Sequence, residues 1–181
     1  GWQSPIAQFL SDAERAGLTE ALGLVPGDIV FFQAGAPEMV NSALGNLRLK
    51  LGERFGLIPE GTFAPLWVTD FPLLEWDPEA KRWVAMHHPF TMPYEEDLDL
   101  MQDDATKPLV RSQAYDVVLN GVELGRGSGR IHRPAVQRRV FSAMGFSKEE
   151  ARDRFGFMLG AFRFGTPPHA VFAFGMDRLC M

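Results

Sequence analysis

An Asn-Gly pair between two apolar runs is the feature that most constrains how this chain folds. The pair is Asn120-Gly121, and the runs occupy residues 115–119 and 122–124. Asn-Gly favours the type I′ turn of a two-residue β-hairpin, because both turn positions need a positive φ. The sequence therefore predicts an antiparallel hairpin whose register can be counted outwards from the turn.

The predicted register brings two carboxylates to one face of the hairpin. Counting from the turn pairs Val118 with Glu123, and Asp116 with Gly125. Side chains alternate along a strand, so Asp116 shares a face with Val118 and hence with Glu123. The two carboxylates then stand diagonally, about 7 Å apart at the backbone, and such like charges repel unless a cation lies between them. Mg²⁺ is often held by one or two carboxylates plus nucleotide phosphates, so this pair predicts a magnesium–nucleotide site.

A second informative stretch lies close to the C-terminal end of the sequence. The apolar run 169–174 is typical of a strand, and Gly175 interrupts it before a predicted helix start. Asp177 suits the first turn of that helix, whereas Arg178 opposes the helix dipole there. An arginine at this position is expected if an anion such as a phosphate binds nearby. The alternative is an exposed arginine at a frayed helix end.

Composition excludes several classes of protein. With 181 residues, 46% hydrophobic and 23% charged, the chain is an ordinary globular one of one or two domains. The net charge of −5 argues against non-specific binding to nucleic acid. A single cysteine, Cys180, excludes an internal disulfide and suits a reducing, cytoplasmic setting. No apolar run approaches about 18 residues, so no membrane span is expected.

The ends of the sequence favour a piece of a longer protein. The sequence starts Gly-Trp-Gln-Ser without an initiating methionine, and it stops at Met181 shortly after the helix start at Gly175. A helix that short is not stable alone.

The pattern of the first third predicts a small α+β unit. Ser11-x-x-Glu14 is a capping box that opens a helix. Residues 29–32 are predicted to form a buried strand, and residues 37–55 an amphipathic helix. The sequence predicts a first domain at 1–56, a linker at 57–63 in which proline and glycine interrupt regular structure, and a second domain at 64–181.

The order of strands and helices in the second domain predicts an antiparallel sheet backed by helices, and hence the α+β class. The predicted strands are residues 65–76 and 82–86, joined at Asp77-Pro78, the hairpin 115–124, and residues 169–174. The predicted helices are residues 134–144 and 148–162, the latter opened by Ser147-x-x-Glu150.

Several segments, in order along the chain, resemble one known family. They are Trp-Val-Thr-Asp-Phe-Pro-Leu-Leu-Glu at 67–75, Met-His-His-Pro-Phe-Thr at 86–91, the hairpin at 115–123, Gly-Arg-Gly-Ser-Gly-Arg-Ile-His at 125–132, and Gly-Thr-Pro-Pro-His at 165–169 with Phe-Gly-Met-Asp-Arg at 174–178. Together they resemble bacterial-type aspartyl-tRNA synthetase, a class II aminoacyl-tRNA ligase. Residues 1–56 are similar to part of the domain that bacterial enzymes insert, and residues 64–181 to the half of the catalytic domain that carries motif 3.

The resemblance implies a set of site residues. They are His87 and Arg130 for L-aspartate, Asp116 and Glu123 for Mg²⁺, and Glu123, Gly175, Met176, Asp177 and Arg178 for ATP. It implies ATP-dependent formation of aspartyl-adenylate and transfer of aspartate to tRNA, either tRNA(Asp) alone or tRNA(Asn) as well. Catalysis in this family rests on positioning and charge, so no residue is expected to act as a nucleophile. A cytoplasmic homodimer is implied for the complete enzyme.

No stretch resembles motif 1, motif 2 or the anticodon-binding barrel of that family. We therefore expect the 181 residues alone to be inactive.

The glycine-rich segment departs from the family's usual Gly-Gly-Gly-Ser followed by a β-branched residue and Arg. Here Arg126 and Gly129 replace a glycine and the β-branched residue. Arg130 also lies seven residues after Glu123, and regular alternation would put the two on opposite faces. Arg130 can reach the site only through a bulge or bend, which Gly127 or Gly129 would permit.

Two other functions stay open at this stage. A non-catalytic paralogue that keeps the fold as a binding module would explain Arg126 and Gly129, and the presence of the motif 2 arginine in the full-length chain would discriminate. A class II relative that makes asparagine from aspartate and ATP would share the adenylate chemistry. The inserted domain argues against that relative, and an assay for the amide product would decide.

Overall fold

The computed structural model describes residues 1–180 and divides the chain into two compact units, Gly1–Glu60 and Gly61–Met181. The boundary falls inside the stretch 57–63, where the sequence is interrupted by glycine and proline. Each unit has its own secondary structure and is described separately.

The first unit is helical. A 3₁₀ turn at Ala7–Phe9 precedes α1 (Asp12–Leu22), and α2 spans Pro37–Arg54. The capping box that opens α1 is formed as predicted, because the Ser11 hydroxyl accepts the Glu14 N–H and the Glu14 carboxylate accepts the Ser11 N–H at 2.7 Å.

The strand predicted at residues 29–32 is wrong. This stretch has no regular secondary structure, and the side chain of Ile29 is 76% exposed. None of the described residues of the first unit forms a strand. The backbone of 29–32 therefore has no ladder in which to pair, and an apolar run alone does not make a strand.

The second unit contains the sheets and confirms the α+β class. Its elements are β1 (Pro65–Val68), β2 (Leu74–Asp77), β3 (Arg82–Ala85), β4 (Ala114–Leu119), β5 (Val122–Gly129), α3 (Pro134–Ala143), α4 (Lys148–Ala161), β6 (Ala170–Phe174) and α5 (Met176–Leu179). The main sheet is antiparallel in the order β1-β4-β5-β6, and β2 pairs with β3 in a separate hairpin.

The single strand predicted at 65–76 is two strands in two different sheets. β1 pairs with β4, whereas β2 turns back onto β3 as predicted. Between them Asp70 adopts a φ of 59°, a left-handed conformation that aspartate tolerates better than most residues. This turn redirects the chain from one sheet to the other.

The core of the second unit lies on the inner side of α3. Its buried members come from α3 and the residue that ends it, from β2 and the residue before it, and from the segments between β2 and β4 and after β5: Leu73, Leu74, Met92, Met101, Val110, Ile131, Val136, Val140, Ala143 and Met144. α4 begins at the predicted capping box of Ser147 and Glu150, and its Phe155 stacks on Phe141 of α3 with ring centroids 5.1 Å apart. This packing fixes the segment that leaves β5.

Candidate active site

A β-bulge in β5 sets the geometry of the site. The hairpin turns at Asn120-Gly121 with positive φ at both residues, as predicted. Val118 pairs with Glu123, but Val117 pairs with Gly125, so Leu124 is an extra residue on β5. The predicted pairing of Asp116 with Gly125 is therefore wrong.

The bulge brings the charged residues of β5 to one face of the sheet. Asp116 pairs with Arg126, and Glu123 lies opposite Val118, so all three side chains share a face by strand alternation. From Arg126 onwards the same alternation gives Ser128 and Arg130. The Arg130 N–H continues this register by donating to the His169 carbonyl at 2.9 Å. Arg130 thus reaches the face of Glu123 through the bulge at Leu124, and not through a break at Gly127 or Gly129.

Gly125 and Gly127 of β5 leave space for side chains on the opposite face of the sheet. A Cβ at Gly127 would collide with the Tyr115 ring and the Val171 carbonyl, and one at Gly125 would lie 2.6 Å from the Ala173 carbonyl. The Tyr115 ring stacks on Phe172 there, with centroids 6.1 Å apart. These glycines make room for aromatic side chains, whereas a bulge or bend was expected at Gly127 or Gly129.

Two arginines surround the carboxylate of Glu123. Arg126 donates from Nη2 to Oε2 at 2.6 Å and from Nε to Oε1 at 3.1 Å. Arg178 donates from Nη1 to Oε1 at 3.2 Å and to the Glu123 backbone carbonyl at 2.9 Å. The hydrogen bonds and charge of Arg126, followed by those of Arg178, hold the pKa of Glu123 below its ordinary value. The anion beside Arg178 in this structure is therefore a side chain of the protein.

Asp116 differs from Glu123 in having an unused oxygen. Its residue is 8% exposed, and Oδ1 has no hydrogen-bond partner. Ser128, diagonal to it across β4 and β5, is 3% exposed with its hydroxyl equally unpartnered. Buried polar atoms without partners are costly, so a water molecule, an ion or a ligand is favoured next to these two oxygens.

The donor set suits Mg²⁺ in part. Asp116 offers a buried carboxylate oxygen of the kind that Mg²⁺ prefers. Glu123 offers a second carboxylate on the same face, although both of its oxygens accept from arginines. Among residues 1–180 no group of three or more histidine, cysteine or acidic side chains is arranged to hold a metal, so the phosphates of a nucleotide would have to complete such a site.

The structure brings His88, and not His87, to Arg130. The Arg130 Nη1 group contacts the His88 ring, 3.0 Å from Nδ1 and also against Nε2. Burial, the charge of Arg130 and that of His87 lower the pKa of His88 to about 4. A neutral imidazole can accept from a guanidinium, and an imidazolium cannot.

His87 instead packs edge-on against Phe71, with ring centroids 4.9 Å apart. Sequence reasoning missed His88 although the two histidines are adjacent, because it relied on the resemblance alone. No pattern in the sequence distinguishes the two histidines, because His87 lies in a bend and His88 follows it outside regular secondary structure.

A cavity of about 370 Å³ opens beside Arg130 at the end of β5. His132, Arg133 and His169 share its lining with Glu95. Arg133 is paired with Glu95 in this lining, so Arg130 is the cationic group that suits a small anionic molecule such as a carboxylate.

An antiparallel sheet that presents carboxylates and arginines on one face is the arrangement expected of a class II aminoacyl-tRNA synthetase. The chain belongs to the family of class II tRNA synthetases for D, K and N, whose family model matches residues 11–181. The resemblance found in the sequence is thereby confirmed.

Comparison with curated relatives shows which members of this family the chain is similar to. The chain is 62% identical to an aspartate–tRNA(Asp/Asn) ligase of Nitratidesulfovibrio vulgaris and 58% identical to one of Oleidesulfovibrio alaskensis, each over 180 residues. Those matches cover 99% of this chain and 29% of each relative, so the chain spans about three-tenths of their length. It is therefore a homologue of aspartate–tRNA ligases over that part.

A solved aspartyl-tRNA synthetase from Entamoeba histolytica aligns with 93% of this chain and with 27% of the synthetase chain, at 24% identity and a TM-score of 0.47.

In the described part of the chain, no helix is both long and apolar enough to cross a membrane.

Proposed function

We propose that this chain forms one wall of the aspartate-activating site of an aspartate–tRNA ligase. In the proposed reaction a carboxylate oxygen of L-aspartate attacks the α-phosphorus of ATP and pyrophosphate leaves. A hydroxyl of the tRNA then attacks the aspartyl carbonyl, an ester forms, and AMP leaves. The observation that carries the proposal is the common sheet face of Arg130, Asp116 and Glu123, which the bulge creates.

Arg130 is the proposed reader of the aspartate side chain. A guanidinium matches a carboxylate through two parallel hydrogen bonds, and it discriminates against asparagine because an amide NH₂ cannot accept. The neutral His88 ring beside Arg130 fixes the position of the guanidinium without adding charge. His87 remains a proposed contact of the amino-acid substrate on the side of Phe71.

Asp116 and Glu123 are the proposed holders of Mg²⁺ bound to ATP. A bound Mg²⁺ would supply charge neutralisation for the phosphates. Gly175, Met176, Asp177 and Arg178 are the proposed ATP contacts. Arg178 would turn from Glu123 towards the phosphates, a small change because its side chain is half exposed. No nucleophilic side chain is needed, since positioning and electrostatic stabilisation suffice for this chemistry.

The remaining proposals concern the complete protein. We propose a cytoplasmic homodimer that acts on tRNA(Asp), with tRNA(Asn) as a second possible acceptor suggested by the names of the relatives. Residues 1–56 are the proposed insertion-domain part, 57–63 the linker and 64–181 the catalytic part. The 181 residues alone are proposed to be inactive, since they span about three-tenths of the relatives' length.

The test is pyrophosphate exchange with ATP, measured on the full-length protein with aspartate or asparagine as the amino acid. Exchange that depends on aspartate, together with charging of tRNA(Asp), would support the proposal. Charging of tRNA(Asn) transcripts in parallel defines the acceptor. Free asparagine as a product would favour the asparagine-forming alternative, and no exchange at all would favour a binding module.

A further inference from the structure

Arg126 lies where it can compete with a cation. Its side chain leaves β5 on the face of Asp116, its cross-strand neighbour, and forms an ion pair with Glu123 at 2.6 Å. The hydrogen bond to Glu123, followed by the charges of Glu123 and Asp116, raises the pKa of Arg126. The guanidinium therefore occupies the neighbourhood of the two groups proposed to hold Mg²⁺.

The register of β5 places the Arg126 side chain on the same face of the sheet as Glu123. Residues three apart in a regular strand point to opposite faces, and the bulge at Leu124 is what lets Glu123 and Arg126 meet. Without the bulge Arg126 would face the aromatic side chains that fill the space next to Gly125 and Gly127.

On this face the negative charges of Asp116 and Glu123 are balanced by the positive charges of Arg126 and Arg178. The like charges of Asp116 and Glu123 would draw in a divalent cation if nothing else lay near them. Here Arg126 and Arg178 take both oxygens of Glu123, whereas Asp116 Oδ1 and the Ser128 hydroxyl are buried without a hydrogen-bond partner. One of the two carboxylates is thus free for a metal, and the other is occupied by an arginine.

We propose that Arg126 is a built-in competitor for the divalent cation of this site. A metal ion gains Glu123 as a second ligand only when the Arg126–Glu123 pair opens, so the affinity for free metal is low and rises when a nucleotide arrives with the metal. The side chain of Arg126 is 57% exposed, which leaves it room to swing away. This inference rests on the cation site of the proposed function and adds its regulation.

The experiment measures Mn²⁺ binding by electron paramagnetic resonance on the full-length protein, first with Mn²⁺ alone and then with Mn²⁺ and ATP. Arg126→Met removes the charge but keeps the apolar stem, and Arg126→Lys keeps the charge but loses the fork. Arg15→Met is the matched control, because Arg15 forms an ion pair of the same i,i+3 spacing with Asp12 in the first unit.

We expect Arg126→Met to bind Mn²⁺ alone about tenfold more tightly than the wild type, the effect of removing one positive charge a few ångströms from a divalent ion in water. Arg126→Lys should fall between the two, and Arg15→Met should match the wild type. With ATP present the gain should shrink, because the phosphates already hold the metal.

Equal Mn²⁺ affinity in the wild type and Arg126→Met would overturn the inference while leaving the cation site intact. Weaker binding in Arg126→Met would also overturn it, since Arg126 would then support the metal complex. Absence of Mn²⁺ binding in every variant, with or without ATP, would overturn both the inference and the cation site.

Discussion

Arg130 is the residue on which substrate choice would depend in the proposed site. Its guanidinium is partly buried, contacts a neutral histidine and borders a cavity with further cationic groups. Burial lowers the pKa of Arg130 from its ordinary value, yet arginine stays charged at any pH of interest. The fork geometry, more than the charge, is what distinguishes arginine from lysine here.

Replacing Arg130 with lysine should therefore impair aspartate activation in the full-length protein by about two orders of magnitude in kcat/KM, as loss of a bidentate charged contact costs about 3 kcal/mol. Aspartate-dependent pyrophosphate exchange is the measurement. Arg163→Lys, at an exposed position of the second unit, is the control and should leave exchange unchanged. Near-normal exchange by Arg130→Lys would remove Arg130 from the substrate site.

His88 makes the second unit sensitive to pH. Its pKa is about 4 in the folded protein against an ordinary value of 6.5, so the unfolded chain binds a proton between these values and the folded chain does not. Stability from this group is complete above pH 6.5 and is lost as the pH falls towards 4. Thermal melts of the wild type and His88→Asn across this window should show a shallower pH dependence in the variant. Equal slopes would mean that His88 protonates freely in the folded state.

The central hairpin shows at the element scale what the sequence determines. Asn120-Gly121 fixed the turn, and the common face of Asp116 and Glu123 followed by counting. The bulge at Leu124 was not visible, because a single extra leucine leaves the apolar pattern intact. Only packing on the other face, where Tyr115 and Phe172 need glycines opposite them, decides which residues of β5 point where.

The same reasoning explains the errors elsewhere. Residues 29–32 have the composition of a strand but no partner strand in their unit, and strand formation depends on partners that are distant in sequence. Residues 65–76 contain a turn at Asp70, and the usable signal was Pro72, because proline is disfavoured inside a strand. The starts of the helices were predicted well because their signals are local: capping boxes at Ser11 and Ser147, and a proline at the first position of α2 and α3.

Gly127→Ala tests whether this packing sets the face of β5. Its Cβ would meet the Tyr115 ring and the Val171 carbonyl, so we expect destabilisation of about 1–3 kcal/mol by overpacking. Gly156→Ala in α4 is the control. Its Cβ makes only an ordinary 3.5 Å contact, and it should be neutral or stabilising by roughly 0.5–1 kcal/mol through helix propensity. Denaturant unfolding measures both, and a neutral Gly127→Ala would contradict the assigned packing.

At the scale of the whole molecule, the chain consists of two units, and only one of them contains residues of the proposed site. Every residue of the proposed site, from His87 to Arg178, lies in the unit Gly61–Met181. Helices α1 and α2 belong to the other unit and carry none of them. Pro59 and Gly61 interrupt helical periodicity in the stretch 57–63, in which the boundary between the two units falls.

The division predicts where a protease cuts first. Glu60 is exposed and lies after the end of α2 and before the start of β1, whereas the other glutamates of the first unit lie within helices. Limited digestion with a glutamate-specific protease should therefore produce an early fragment that begins at Gly61, identified by mass spectrometry, because backbone outside regular structure enters a protease cleft most easily. Glu60→Gln should abolish that fragment and leave slower cuts unchanged. Early cleavage at Glu20 or Glu53 with Glu60 intact would show that the helices of the first unit open more readily than the junction, and that the two units are not separately stable.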